Sequence, residues 1–130
     1  MTILFACTHN AGRSQMAAAI CRAIGGDRVR VESAGTAPAG RVHPVVADVM
    51  REWGVDLAGS TPRLLSDDLA RQADVLVTMG CGETCPVVPG ARVVDWPLDD
   101  PKDLPIERVR AIRDDIERRV RGLLDELGLL

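Results

Sequence analysis

Ile3-Leu4-Phe5-Ala6-Cys7-Thr8-His9-Asn10-Ala11-Gly12-Arg13-Ser14-Gln15-Met16-Ala17 contains three structural signals in succession. Ile3 to Ala6 is a continuous apolar run, the pattern of a strand buried on both faces of a parallel sheet. Gly12 then marks a turn. From Arg13 to Ile24, the residues Met16, Ala17, Ile20, Ala23 and Ile24 recur at helical spacing, and Gly25-Gly26 supplies the stop. The spacing predicts a strand, a glycine-bearing turn and a helix within the first 26 residues.

The same alternation continues along the chain. Arg28 to Glu32 reads as a second strand, and the small residues from Ser33 to Gly40 read as a loop suited to close backbone approach. Val42-His43-Pro44 opens a helix that runs to Trp53 and is closed by Gly54. Ser66 caps a short helix through Ala73, with Asp67 and Asp68 in its first turn. Val75 to Met79 is the most hydrophobic strand candidate, Gly80 to Gly90 is turn-rich, and Val93-Val94 suggests a further short strand. Ile106, Val109, Ile112, Ile116, Val120, Leu123, Leu124 and Leu127 form the apolar stripe of a long amphipathic helix. Strands alternating with helices predict an α/β fold: three layers, α/β/α, around a four-stranded parallel sheet, with residues 1–130 as one domain. In such sheets ligands bind beyond the carboxyl ends of the strands, and the first strand ends at Cys7.

Composition narrows the function. With 16 basic and 19 acidic residues mixed along the chain and a net charge of −3, no basic stripe for nucleic acid and no polybasic membrane patch is present. No apolar run approaches the ~18–20 residues of a transmembrane helix. Leu4-Phe5-Ala6-Cys7 imitates the end of a lipoprotein signal, but only six residues precede Cys7. A cytoplasmic location is expected, where four cysteines point to catalysis, redox exchange or metal binding before structural disulfides.

Cys7 and Arg13 lie six positions apart between a strand and a helix N-terminus. Backbone N–H groups at such a junction, aided by the helix dipole, make a cradle for an anion. The guanidinium can fork onto two oxygens of a tetrahedral oxyanion, and the same field favours the thiolate of Cys7. A Ser14 hydroxyl turned toward the sulfur adds to this. The plain alternative is an inert strand-end cysteine and a surface arginine, but the full pattern of strand, Cys-x5-Arg-Ser and helix favours an oxyanion nucleophile. A nucleotide-binding loop is excluded by the glycine spacing and by the lack of a lysine before Ser14. A departing oxygen needs a proton, and Asp99-Asp100-Pro101 offers two carboxyl groups, although composition alone reads it as a solvated turn. Cys81 and Cys85, with three residues between them, lack the second close pair that zinc would want, and no metal site is expected. Two thiols there suit successive exchange with a buried nucleophile.

Cys7-Thr8-His9-Asn10 with Arg13-Ser14-Gln15-Met16-Ala17, Ser33-Ala34-Gly35-Thr36, and the segment from Trp96 to Pro101 together resemble the low-molecular-weight tyrosine phosphatase superfold. They are most similar to its arsenate reductase branch of the thioredoxin-coupled type, over nearly the whole chain. The resemblance implies that the backbone of Thr8, His9, Asn10, Ala11, Gly12, Arg13 and Ser14 holds arsenate or a phosphate-like oxyanion while Cys7 attacks it. It implies that Asn10 and Ser14 brace the loop. It makes Asp100, directly before Pro101, the general acid, with Asp99 in reserve. It also implies that Cys81 resolves the Cys7 adduct and Cys85 resolves Cys81, with thioredoxin or another thiol reductant as partner. No cofactor is implied, and a monomer is expected.

Two positions depart from the pattern. The resolving pair is closely spaced, and Ala18 stands where some relatives carry a glutamate that helps to bind potassium. Cys21 reads as a packing residue, and His43 is given no role. Two alternatives remain: a tyrosine phosphatase using Cys7, Arg13 and Asp100, and a non-catalytic oxyanion or redox sensor. With no tyrosine, one phenylalanine and two tryptophans, the chain is poor in walls for an aryl phosphate. The sensor reading lacks an exposed anchor cluster.

Overall fold

The computed structural model describes residues 1–80 and 90–130. Strands β1 (Thr2–Cys7), β2 (Arg30–Gly35), β3 (Val75–Met79) and β4 (Arg92–Asp95) form a four-stranded parallel sheet of order β2-β1-β3-β4. Helices α1 (Arg13–Gly25), α2 (Pro44–Trp53), α3 (Asp67–Arg71) and α4 (Ile106–Glu126) connect and cover it. Successive side chains of β1 enter different layers, as strand geometry requires. Ile3, Phe5 and Cys7 join the core under α1, α2 and α4, whereas Leu4 and Ala6 pack with Leu69, Ala70 and Ala73 on the other face. The expected α/β/α architecture is the one observed.

The long helix is as read. Val109, Ile112, Ile116, Val120, Leu123 and Leu124 are buried along one side of α4. Each such side chain contributes about 1.5–3 kcal/mol relative to leaving it in water. Polar links then tie α4 to α2: Trp53 Nε1 donates to Glu117 Oε1 at 2.5 Å, and Arg110 forks onto Glu52. The hydrogen bond from Arg110 holds the Glu52 carboxyl below its usual range.

The second strand differs from its sequence reading. Gly26–Arg28 forms a 3-10 turn, and the Arg28 guanidinium donates to the carbonyls of Gly25 and Ile24, binding this segment to the end of α1. The strand starts at Arg30 and continues through residues expected in the loop, because Ser33, Ala34 and Gly35 pair with Phe5, Ala6 and Cys7. A Cβ at Gly35 would lie 2.6 Å from the Thr8 carbonyl oxygen, so the expected close backbone approach occurs here, at a strand end. The short helix ends at Arg71, before Ala73, and Ser66 Oγ accepts from the Leu69 amide at its start. β4 is one residue longer at each end than Val93-Val94. Cys81 and Cys85 lie outside the described residues, as does most of the stretch read as turn-rich.

Candidate active site

The carboxyl end of β1, an inner strand, and the start of α1 bring Cys7 to Ser14 into a loop at the carboxyl end of the sheet. Among the described residues no side chain caps α1, and its first turn holds no acidic residue to neutralise the positive end of the helix. Cys7 is almost wholly buried, and its Sγ lies 2.8 Å from Ser14 Oγ. Asn10, in the left-handed region at φ 50°, donates from Nδ2 to the same Ser14 oxygen at 2.7 Å. Asparagine tolerates that conformation better than most side chains. With Ser14 Oγ accepting from Asn10, the serine hydrogen is free to point at the Cys7 sulfur.

Arg13 is buried although charged, with 7% of its surface exposed. Nη1 donates to the Leu98 carbonyl at 3.0 Å, and Nη2 lies 3.8 Å from Asp100 Oδ2. Nε is buried and has no partner among the described residues. The edge formed by Nε and Nη2 is the bidentate edge of a guanidinium, suited to two oxygens of a tetrahedral oxyanion. The guanidinium also packs on Gly80, whose φ of 83° and missing Cβ are both needed, since an added Cβ would collide with Nη1. Thr8 Oγ1 donates to the Gly80 carbonyl at 3.2 Å, so loop and β3 end are joined twice.

The two candidate acids separate. Asp99 pairs with Arg108 at 3.0 Å on an exposed face, directed to α4. Asp100 faces the loop, with Oδ2 at 3.8 Å from Arg13 and 3.9 Å from His9 Nδ1, and Oδ1 accepting from the Lys102 amide at 3.0 Å. Pro101 seats this segment on the loop: a Cβ on Gly12 would lie 2.6 Å from Pro101 Cγ. His43, given no role from sequence, sits against the loop with its amide donating to the Ala11 carbonyl at 2.9 Å. Burial holds its imidazole below the ordinary histidine range, Asp100 opposing this and His9 adding to it.

Cys21 is buried in α1, and desolvation pushes its thiol up to about 12, partly offset by Arg22. It packs, as expected. Phe5 and Trp96 pack against each other in the core at 5.8 Å between ring centroids. Sequence reasoning missed Gln15, which is buried and donates from Nε2 to the Asn10 carbonyl at 3.0 Å and to Asn10 Oδ1 at 3.2 Å. It also missed the Arg63 amide, which donates to Asn10 Oδ1 at 3.0 Å. A polar residue between Ser14 and the apolar run from Met16 to Ile20 of α1 was the available signal for Gln15.

Comparison with known proteins places this geometry among relatives. A family model described as low molecular weight phosphotyrosine protein phosphatase matches residues 2–129. The chain is 45% identical over 129 residues to a Halobacterium salinarum protein named "Putative arsenate reductase", covering 95% of this chain and 91% of that one. A solved structure of a Corynebacterium glutamicum thioredoxin-dependent arsenate reductase superposes with a TM-score of 0.86 at 40% identity. That match covers 98% of this chain and 62% of the other, so the chain spans less than two thirds of that protein's length. A further solved structure, an arsenate reductase in the phosphate binding state, matches with a TM-score of 0.85 at 31% identity over 96% of this chain and 97% of its own.

Proposed function

The chain belongs to the low-molecular-weight phosphotyrosine protein phosphatase family, and we infer that within it the protein is an arsenate reductase, with Cys7 as nucleophile. Arsenate enters the loop, where the Nε–Nη2 edge of Arg13 and the loop amides take its charged oxygens. The Cys7 thiolate attacks arsenic, and a hydroxide leaves as water with the proton of Asp100. Cys81 as thiolate then attacks the Cys7 sulfur. The sulfur–sulfur bond forms as the sulfur–arsenic bond breaks, and its electron pair departs with arsenic, giving arsenite. Cys85 attacks Cys81, Cys7 is released, and an external dithiol of the thioredoxin type reduces the Cys81–Cys85 disulfide.

The observation that carries the reductase reading over hydrolysis is the register of β1 and β3. Cys7 pairs with Met79, and Gly80, packed on Arg13 and Thr8, immediately precedes Cys81. Gly80, the last described residue before Cys81 in sequence, therefore lies beside the nucleophile's loop. A cleft beside the acid supports the same reading. It is lined by His43, Pro44, Val45, Lys102, Asp103 and Leu104, with no phenylalanine, tyrosine or tryptophan among them to wall in a phenyl ring.

The test is arsenate-dependent NADPH oxidation with thioredoxin and thioredoxin reductase, run beside hydrolysis of an aryl phosphate. Arsenate turnover well above hydrolysis is expected, and robust hydrolysis without arsenate turnover would reverse the assignment. Cys85→Ser should release one arsenite per enzyme and accumulate a Cys7–Cys81 disulfide, visible by mass spectrometry of the unreduced protein. Normal turnover by that variant would remove Cys85 from the relay.

A further inference from the structure

We propose that Gln15 is a positioning residue for the nucleophile, acting through Asn10 and Ser14 to hold the serine hydrogen on the Cys7 sulfur. The proposal rests on the reading of Cys7 as the reacting thiolate. Gln15 has only 4% of its surface exposed and sits in the first turn of α1, where a glutamine could as easily face water. All three acceptors of its Nε2 are oxygens: the Asn10 carbonyl at 3.0 Å, Asn10 Oδ1 at 3.2 Å and the Thr61 carbonyl at 3.5 Å. That set fixes which end of the glutamine amide points inward, since only the NH₂ end can donate.

The consequence passes along the network one group at a time. A donor at Oδ1 forces the Asn10 amide to present Nδ2 to Ser14, which it does at 2.7 Å. The Arg63 amide, a donor that cannot reverse, reinforces the same choice at Oδ1. Ser14 Oγ, once it accepts from Nδ2, keeps its own hydrogen for Cys7 Sγ at 2.8 Å. Were the Asn10 amide turned over, its oxygen would take the serine hydrogen and the sulfur would lose its donor. Gln15 also satisfies the carbonyl of a residue held at φ 50°, an uncommon conformation for a residue with a side chain. A hydrogen bond given to the charged form of an acid favours that form, and the serine hydrogen is the donor that the glutamine holds on the Cys7 sulfur.

The experiment follows the thiolate directly, by its absorbance near 240 nm against pH, as the difference between each protein and its Cys7→Ser counterpart. Gln15→Glu keeps the volume and replaces the donor with an acceptor, so the Asn10 amide is driven to turn. Its thiolate midpoint should rise by about one pH unit, tenfold less thiolate below the midpoint, with alkylation by iodoacetamide slowed in proportion. Gln15→Met removes the donor while the Arg63 amide remains, and should move the midpoint the same way by less. In a Ser14→Ala background Gln15→Met should move it no further, because the hydrogen being positioned is gone, and Gln15→Glu should move it by less, through its added charge alone. An unmoved midpoint in a folded Gln15→Glu protein overturns the proposal, as does an equal shift with and without Ser14. If Cys7→Ser leaves the 240 nm signal intact, the failure belongs to the nucleophile assignment instead.

Discussion

The Ser14 hydroxyl at 2.8 Å from Cys7 is a single hydrogen bond to an ionisable sulfur. Hydrogen bonds to charged groups are worth about 1.5–3 kcal/mol, equivalent to roughly ten- to hundredfold in an equilibrium. Ser14→Ala should therefore lower kcat/KM for arsenate, and the alkylation rate of Cys7, by about that factor at neutral pH. The loss should narrow as the pH is raised, because alkali supplies thiolate without help. A loss that stays constant with pH would assign Ser14 to shaping the loop instead. The chemistry of these side chains was legible in sequence, since Cys7, Arg13 and Ser14 are neighbours in one short segment. Their partners were not. Gln15 reaches Asn10 only because the loop folds back on the helix, and Arg13 meets Leu98 and Gly80 only once β1, β3 and the acid segment are assembled. Such contacts depend on the folded path and leave no local pattern.

At the scale of elements, periodicity was a good guide wherever an element buries a face. α2 and α4 were readable because their apolar positions repeat with the helical period, and β1 because its apolar run is continuous, as a strand buried on both faces requires. The second strand was misplaced because Ser33-Ala34-Gly35 is small and carries the composition of a loop, yet it is buried beside β1 under the returning loop. The acid segment depends on a similar close approach. Pro101 lies over Gly12, and a methyl group there would stand 2.6 Å from Pro101 Cγ, so one of the two segments must move. Gly12→Ala should displace Asp100 from the loop while leaving Cys7 and Arg13 in place. The expected outcome is a fall in kcat of about tenfold or more, part of the ~10²–10⁴-fold that general acid catalysis contributes, with a smaller change in the dissociation constant for phosphate. Isothermal titration beside steady-state kinetics separates the two. If phosphate binding falls as steeply as kcat, the methyl group has disturbed the oxyanion loop itself.

For the whole molecule, the site and the stability of the fold are linked through His43, which begins α2 and touches the oxyanion loop. Burial depresses its proton affinity from 6.5, Asp100 and Asp103 oppose that, and His9 and Lys102 reinforce it. As pH falls through about 6.5, the unfolded chain takes up this proton before the folded chain does, so stability declines over that window and levels off once both states are charged. Carboxylates held low, Glu52 and Glu117 by hydrogen bonds and Asp115 by two arginines, add their own losses only at more acidic pH, below 4.5 for the glutamates and 3.8 for the aspartate. The two windows are therefore separable. Urea unfolding in phosphate-free buffer between about pH 8 and about pH 5 should show a falling midpoint in the parent protein and a flatter one in His43→Asn. Asparagine can still begin the helix, so the variant tests the proton and not the cap. Phosphate must be excluded because an anion bound by Arg13 would stabilise the folded state by mass action and hide the slope. Equal slopes in the two proteins would mean that the imidazole stays solvated where it meets the loop.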